Sequence, residues 1–213
     1  MTTPRPTLRR DAEANRVRIV AAARELFAER GLSVGLNEVA QRAGVGVGTV
    51  YRRYADKMDL VRAALEEPLE GVVALARQAD DEARAWDGIE LLLTQIADLL
   101  VENLGLRDVA LGGGKQPFGL EAAHGIVEVM ERLFERARAE GDLREGADGS
   151  DILVTLWLVT TVAEHSADVR PGLHRRYLRV LLDGLRAAPD RRPLRGALDE
   201  EQADLVALRW ATH

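Results

Sequence analysis

Residues 36–57 read LNEVAQRAGVGVGTVYRRYADK, and this stretch decides the fold. A short helix runs from about Asn37 to Ala43, with Asn37 as its N-cap candidate and Val39 and Ala40 turned inward. Gly44 stops it after barely two turns, because glycine takes the tight left-handed turn that a side chain would obstruct. A second short helix then runs from about Val47 to Tyr54, and Ala55-Asp56 separates it from a longer one opening near Lys57. Helix, tight turn and helix is the helix-turn-helix pattern, whose second helix enters the major groove of DNA. Ala40 is small where the two helices cross, and Val45 and Val50 fill the core between them. Val47, Gly48, Thr49, Arg52 and Arg53 are left on the exposed face. Tyr51 carries a hydroxyl suited to a phosphate oxygen, and Lys57 adds charge at the start of the next helix.

Upstream, Asp11 to Arg30 carries Ile19, Val20, Ala23, Leu26 and Phe27 at the spacing of one helix face, closed by Gly31. Residues 1–10 read as a flexible basic tail holding Arg5, Arg9 and Arg10, either disordered or a minor-groove arm. Residues 11–56 then form the DNA-binding domain, and 57–213 a larger helical domain. The charge divides along the same line. Residues 1–62 hold 12 Lys/Arg against 7 Asp/Glu, a net of +5, and the rest carries −11, within an overall −6. A positive head on a negative body suits a polyanion bound at one end.

Downstream the periodicity stays helical. Lys57 to Ala79 is a connector interrupted by Pro68, where a kink or break is expected near Glu67. Asp87–Asn103 reads as a largely buried helix, Leu120–Ala139 as an amphipathic one, and Asp151–Ser166 as apolar nearly all round, needing cover on more than one side. Leu173, Tyr177, Val180, Leu181 and Leu185 stripe the next helix, with Gly184 expected to allow close approach. Ala187–Ala197 reads as a linker, and a last helix from Asp199 is capped by Asp199 and Gln202. No segment has strand periodicity, so the chain is expected to be all-α.

Hydrophobic residues make up 46% of the 213, enough to bury a core without external staples. With no cysteine and four histidines, disulfides, thiolate metal sites and cysteine nucleophiles are excluded, and no cofactor is called for. Residues 1–10 lack the apolar core of a secretory signal, and no run approaches the ~18 apolar residues of a membrane span, so a cytoplasmic location is expected. Gly112-Gly113-Gly114-Lys115 fails the spacing of a phosphate loop. Glu121/His124/Glu128 share a helix face as a possible hard-metal site and Glu164/His165/Asp168 form a second cluster, but surface faces produce such triplets routinely. An enzyme is thus the distant alternative, and a helical ligand-binding or scaffold protein without DNA activity the other.

In the run Gly44-Val45-x-x-Gly48-Thr49-Val50-Tyr51-Arg52-Arg53-Tyr54, followed by Asp56-Lys57 and preceded by Leu26-Phe27-Ala28-Glu29-Arg30-Gly31, the chain resembles the TetR family of transcriptional regulators over roughly residues 12–65. The resemblance implies that Val47, Gly48 and Thr49 face base edges and that Tyr51, Arg52 and Lys57 hold phosphates. Asn37 and Gly46 stand where the family often has Thr and Ser. Asn37 is counted with the DNA-contacting set, and Val47-Gly48 offers bases few hydrogen-bonding groups, so readout rests on Thr49, Arg52 and Arg53 together with DNA shape. The resemblance also implies a ligand cavity in the second domain, assigned to Leu92, Ile96, His124, Phe134 and Trp157. It implies a homodimer through the last long helices, assigned to Leu158, Tyr177, Val180, Leu181 and Leu185. Core packing is the alternative reading for both sets. The implied partners are a palindromic double-stranded DNA operator and an unknown small molecule that releases a repressor from it.

Overall fold

A computed structural model describes residues 6–112 and 121–210. Among them ten α-helices and one 3-10 turn account for the regular structure, and the only pairing of extended backbone is an isolated bridge between Leu143 and Arg186. The chain divides into two units, Met1–Glu67 with Asn103–Leu106, and Pro68–Glu102 with Arg107–His213.

In the first unit, α1 (Pro6–Arg30) starts earlier than the sequence reading placed it. Proline at a first helical position gives up an N–H that has no partner there anyway, and nothing between it and Asp11 breaks a helix. Residues 6–10 are therefore helical rather than a flexible tail, while Arg5 lies outside the described residues. Ile19, Ala22, Ala23, Leu26 and Phe27 are buried on the inner face of α1. Gly31 leaves the helix at a φ of 65° and opens a 3-10 turn, Gly31–Ser33. The next helix, α2 (Leu36–Ala43), packs on α1 and is capped by Gly35, not Asn37. The Gly35 backbone is extended, and the Glu38 carboxylate folds back to accept the Gly35 N–H at 3.1 Å, so Asn37 falls inside the first turn. At the other end Gly44 is left-handed, with Val45 N–H donating to Ala40 O and Gly44 N–H to Gln41 O. That pair of bonds satisfies two of the last carbonyls and turns the chain sharply into α3 (Val47–Arg53). The fourth helix, α4 (Lys57–Asp80), begins with Leu60, Val61, Ala64 and Leu65 fully buried. It runs unbroken through Pro68, so of the kink or break expected there the break does not occur.

In the second unit, α5 (Ala85–Glu102) is the central helix, against which α7 (Glu121–Ala139), α8 (Gly149–Ser166) and α9 (Leu173–Leu185) pack. Trp86, Ile89, Leu92, Leu93, Leu133, Trp157 and Leu178 are almost fully buried and form its core. Asp148 caps α8, accepting from Ser150 N–H, while Asp151 returns a bond to the Asp148 N–H. The segment read as a linker is tied down instead: Ala187 N–H donates to Asp142 O, Leu194 N–H to Glu145 O, and the Arg144 guanidinium to Arg192 O. Arg186 lies 5.4 Å over the Trp86 ring. These bonds join residues some fifty positions apart, which no local pattern announces. The remaining helices are α6 (Leu104–Leu111) and α10 (Glu200–Trp210), the latter opened by the expected reciprocal bonds between Asp199 and Gln202.

Candidate nucleic-acid interface

α3 is anchored by few side chains and leaves the others outward. Val50 is fully buried and Tyr54, its C-cap, is 7% exposed, so these two hold the helix against the first unit. Around them Val47 is 43% and Tyr51 54% exposed, and Gly48, Arg52 and Arg53 are exposed as well. Thr49 is half-buried. Arg52 Nη2 stands 3.5 Å from Thr49 Oγ1, too long a contact to fix either side chain. The short chemistry of α3 thus presents one hydroxyl, one phenol and two guanidiniums around an apolar patch at Val47.

Among the described residues, the carboxylates of the first unit that form ion pairs do so with arginines outside α3. Arg16 pairs with Glu13, Arg24 with Glu67, Arg30 with Glu38, Arg42 with Glu25 and Glu29, and Arg62 with Asp59. Among the described residues, Arg52 and Arg53 make no carboxylate pair. Five of the twelve basic residues of the positive head therefore face carboxylates inside the unit, while on α3 two cations without a carboxylate partner lie side by side. Glu38 is itself held below the ordinary carboxylate range, first by the Gly35 N–H and then by Arg30. Burial pushes the Tyr54 phenol up, against the pull of Arg53 and Arg16.

Two residues not singled out from the sequence join this surface. A shallow groove of about 210 Å³ lies between α1 and α3, lined by Ala12, Asn15, Arg16, Ile19, Thr49, Arg52 and Arg53. Asn15 brings an amide next to the α3 arginines, and Arg16 a guanidinium whose Nε is already held by Glu13 at 2.7 Å. Their polarity was visible in the sequence, but their placement depends on how α1 crosses α3.

The other DNA-contact candidates fare differently. Asn37 is exposed in the first turn of α2. Lys57 is half-buried, and its ammonium already donates to the Leu32 carbonyl in the 3-10 turn, which ties the start of α4 to the end of α1 and leaves two of three donors for other acceptors.

The ligand-binding candidates lie in the core of the second unit. Leu92 and Trp157 are fully buried, Phe134 is buried and Ile96 is half-buried. The Trp157 indole N–H donates to Leu111 O at 3.2 Å, so its polar handle is engaged within the chain. The His124 side chain lies outside the described residues. Of the interface candidates, Leu158, Tyr177 and Val180 are 41%, 45% and 54% exposed, and Leu181 is half-buried. Leu185 is a correction: at 7% exposed it packs within its own chain, because it directly precedes the anchored Arg186 and sits one turn from the buried Leu182. A Cβ on Gly184 would meet nothing within 4 Å among the described residues, so Gly184 serves no close approach within its own chain. Of the carboxylate-histidine groups, Glu164 pairs with Arg107 at 3.1 Å, and His165 Nδ1 bonds Thr161 O at 3.0 Å. Among the described residues no three such side chains come together, and no helix is long and apolar enough to cross a membrane.

Comparison with known proteins agrees with this geometry. Residues 19–64 match the family model of bacterial regulatory proteins of the tetR family, and 92–187 match the SbtR-like transcriptional regulator C-terminal domain. The chain is 30% identical over 138 residues to the HTH-type transcriptional regulator SAUSA300_2515 of Staphylococcus aureus (strain USA300), spanning 63% of this chain and 74% of that one. Among solved structures, the TetR transcriptional regulator SCO0520 from Streptomyces coelicolor aligns at a TM-score of 0.52 and 26% identity, covering 81% of this chain and 99% of that one. The transcriptional regulator FadR from Bacillus subtilis, solved with stearoyl-CoA, shares the fold at a TM-score of 0.56 and 22% identity, covering 79% and 98%. The motif on α2 and α3, the outward cations and these matches agree, and the chain belongs to the TetR family of bacterial transcriptional regulators.

Proposed function

We propose that the protein is a cytoplasmic repressor that binds a palindromic operator as a homodimer and leaves it when a small molecule binds the second unit. The observation that carries the DNA half of this reading is the face of α3. Arg52 and Arg53 have no carboxylate partner among the described residues, Tyr51 and Val47 are exposed, and Gly48 has no side chain. In this reading Tyr51, Arg52 and two remaining donors of Lys57 hold phosphates, joined by Asn15 and Arg16. Thr49 and Arg53 read base edges, and Val47 gives an apolar surface to a thymine methyl. Asn37 contacts the backbone from the start of α2.

Two half-sites read together must lie about 34–36 Å apart or a multiple of that, which requires a two-fold partner. Leu158, Tyr177, Val180 and Leu181 are the surface assigned to that partner. A change in the second unit that alters the spacing of two α3 helices would release the operator. FadR of B. subtilis was solved with stearoyl-CoA. For this chain a ligand with a large apolar part is the class that Leu92, Ile96, Phe134 and Trp157 would accept, with His124 orienting a polar end.

Selection of bound sequences from random duplexes tests the whole reading, and a palindrome is the expected product. Tyr51→Phe is expected to weaken binding on every sequence and lower its salt dependence, whereas Thr49→Ala shifts sequence preference. Equal losses on selected and random duplexes for Thr49→Ala would remove Thr49 from the base-reading set.

A further inference from the structure

In an uninterrupted helix the carbonyl of Ala64 accepts the N–H of residue 68, four positions on. Residue 68 is proline, which has no N–H to give and whose ring crowds that same carbonyl. Proline also disfavours helical backbone at the residue before it, Glu67. Even so, α4 continues without a break from Lys57 to Asp80.

The missing donor comes from a different helix. Arg24 of α1 donates from Nε to Ala64 O at 3.2 Å, and its Nη1 meets the Glu67 carboxylate. One planar guanidinium thereby serves both the carbonyl that proline orphans and the residue that precedes that proline. Its fixed fork of donors allows this, and the single point charge of a lysine does not reproduce it. The contact joins positions forty residues apart, so it is a product of the fold and not of helix propensity.

We propose that Arg24 is a positioning residue for operator binding, standing in for the amide that Pro68 lacks and so keeping α4 an unbroken helix. A palindrome rewards two reading helices held at a fixed spacing, whereas an isolated half-site makes no such demand. The claim about α4 stands on its own contacts, and the claim about operators rests on the function proposed above.

The test has two arms, both on the full chain. In the first, amide exchange of Leu69–Gly71 is followed without DNA in Arg24→Met, Pro68→Ala and the double variant. Arg24→Met is expected to speed exchange roughly tenfold when residue 68 is proline, and less than about twofold when it is alanine, whose own N–H satisfies Ala64. An equal acceleration in both backgrounds, or none with proline, overturns the proposal. Glu67→Gln removes the ion pair and leaves the Nε bond, so it should change exchange little; an effect as large as that of Arg24→Met also overturns it. In the second arm, affinities are measured for a selected palindromic duplex and for a duplex carrying one half-site of it. Arg24→Met is expected to weaken the palindrome by about tenfold and spare the half-site, with Pro68→Ala restoring the difference. Equal loss on both duplexes overturns the positioning role. Failure of the unaltered protein to bind either duplex overturns the operator claim together with the proposed function, and the exchange arm, which needs no DNA, tells that failure from a failure of the latch.

Discussion

Gly48 in α3 and Gly88 in α5 are both helical glycines, and their surroundings are opposite. A Cβ on Gly88 would fall 2.3 Å from the Ala79 carbonyl oxygen and 2.9 Å from Leu133 Cδ2, so the second unit itself demands its absence. A Cβ on Gly48 would meet nothing within 4 Å. A glycine inside a helix costs roughly 0.5–1 kcal/mol relative to alanine. In α5 that cost is offset by the close packing it allows; in α3 nothing among the described residues offsets it. The second unit is shaped around its own interior, and α3 is shaped for something outside the chain.

The largest effect expected from this contrast is at Gly88. Gly88→Ala should destabilise the protein by about 3 kcal/mol or more, since the clash is with backbone that cannot turn away, and urea denaturation would measure it. A loss below about 1 kcal/mol would mean that α5 can move off α4 and that the interior is less constrained than its contacts suggest.

The second unit also holds a polar constraint that the α3 surface lacks. Asp98 accepts from His174 Nε2 and from Arg175 Nε, both at 2.8 Å, and tethers α5 to the start of α9. Burial pushes its carboxyl up, but the bonds and charges of Arg175 and His174 outweigh that, and the net displacement is below the ordinary value. A carboxyl depressed in the folded state contributes stability above its unfolded pKa, near 3.9, and loses that contribution as the pH falls through its folded value. Asp98→Asn should therefore cost about 1–3 kcal/mol around neutrality and progressively less in acid. A pH-independent difference between the two proteins, measured by denaturation from pH 7 downward, would show that shape rather than charge carries the tether.

What could be read from the sequence follows the same division. In the first unit the decisive signals are local: Gly44 ends α2, Val50 buries α3, and the arginines that follow stay outside, all within twenty residues. The readings missed there have different causes: the Glu38 carboxylate, one residue past Asn37, reaches back to Gly35 and makes that glycine the cap, while the guanidinium that meets the Ala64 carbonyl before Pro68 comes from forty residues away. In the second unit the helices were readable from their apolar spacing, but the roles of their residues were not. Leu185 shares a stripe with Tyr177 and Val180, and only the strap through Arg144, Asp142 and Ala187 decides that Leu185 turns inward. Trp157 is likewise placed by a carbonyl 46 residues away. A helical stripe names the face that is apolar, not what covers it.

Gly48→Ala sharpens the contrast by separating fold from function. With room for a methyl group and a helical backbone, the variant should be more stable than the parent by up to about 1 kcal/mol. If DNA occupies that space, the same methyl should reduce affinity for the selected operator by about tenfold or more, since a close backbone approach tolerates little added volume. Gained stability with undiminished affinity would mean that the open space beside Gly48 faces solvent in the complex as well.

The smallest expected effect lies at the start of the same helix. In the second unit α8 is closed by the reciprocal bonds of Asp148 and Asp151, whereas α3 begins at Gly46, whose backbone is extended and which has no side chain to offer. A serine hydroxyl at that position can accept from the next N–H groups, and a Cβ there has 3.8 Å to its nearest neighbour, Thr49 Oγ1. Glycine is itself a tolerable N-cap, so Gly46→Ser should add only a few tenths of a kcal/mol. A helix of seven residues gains little cooperativity from one better end, and most of its stability comes from Val50 and Tyr54 beneath it. Denaturation midpoints that rise by much more than this would show that α3 frays in the free protein, so that part of its order is acquired on DNA; an unchanged midpoint would place its stability wholly in the packing of Val50 and Tyr54.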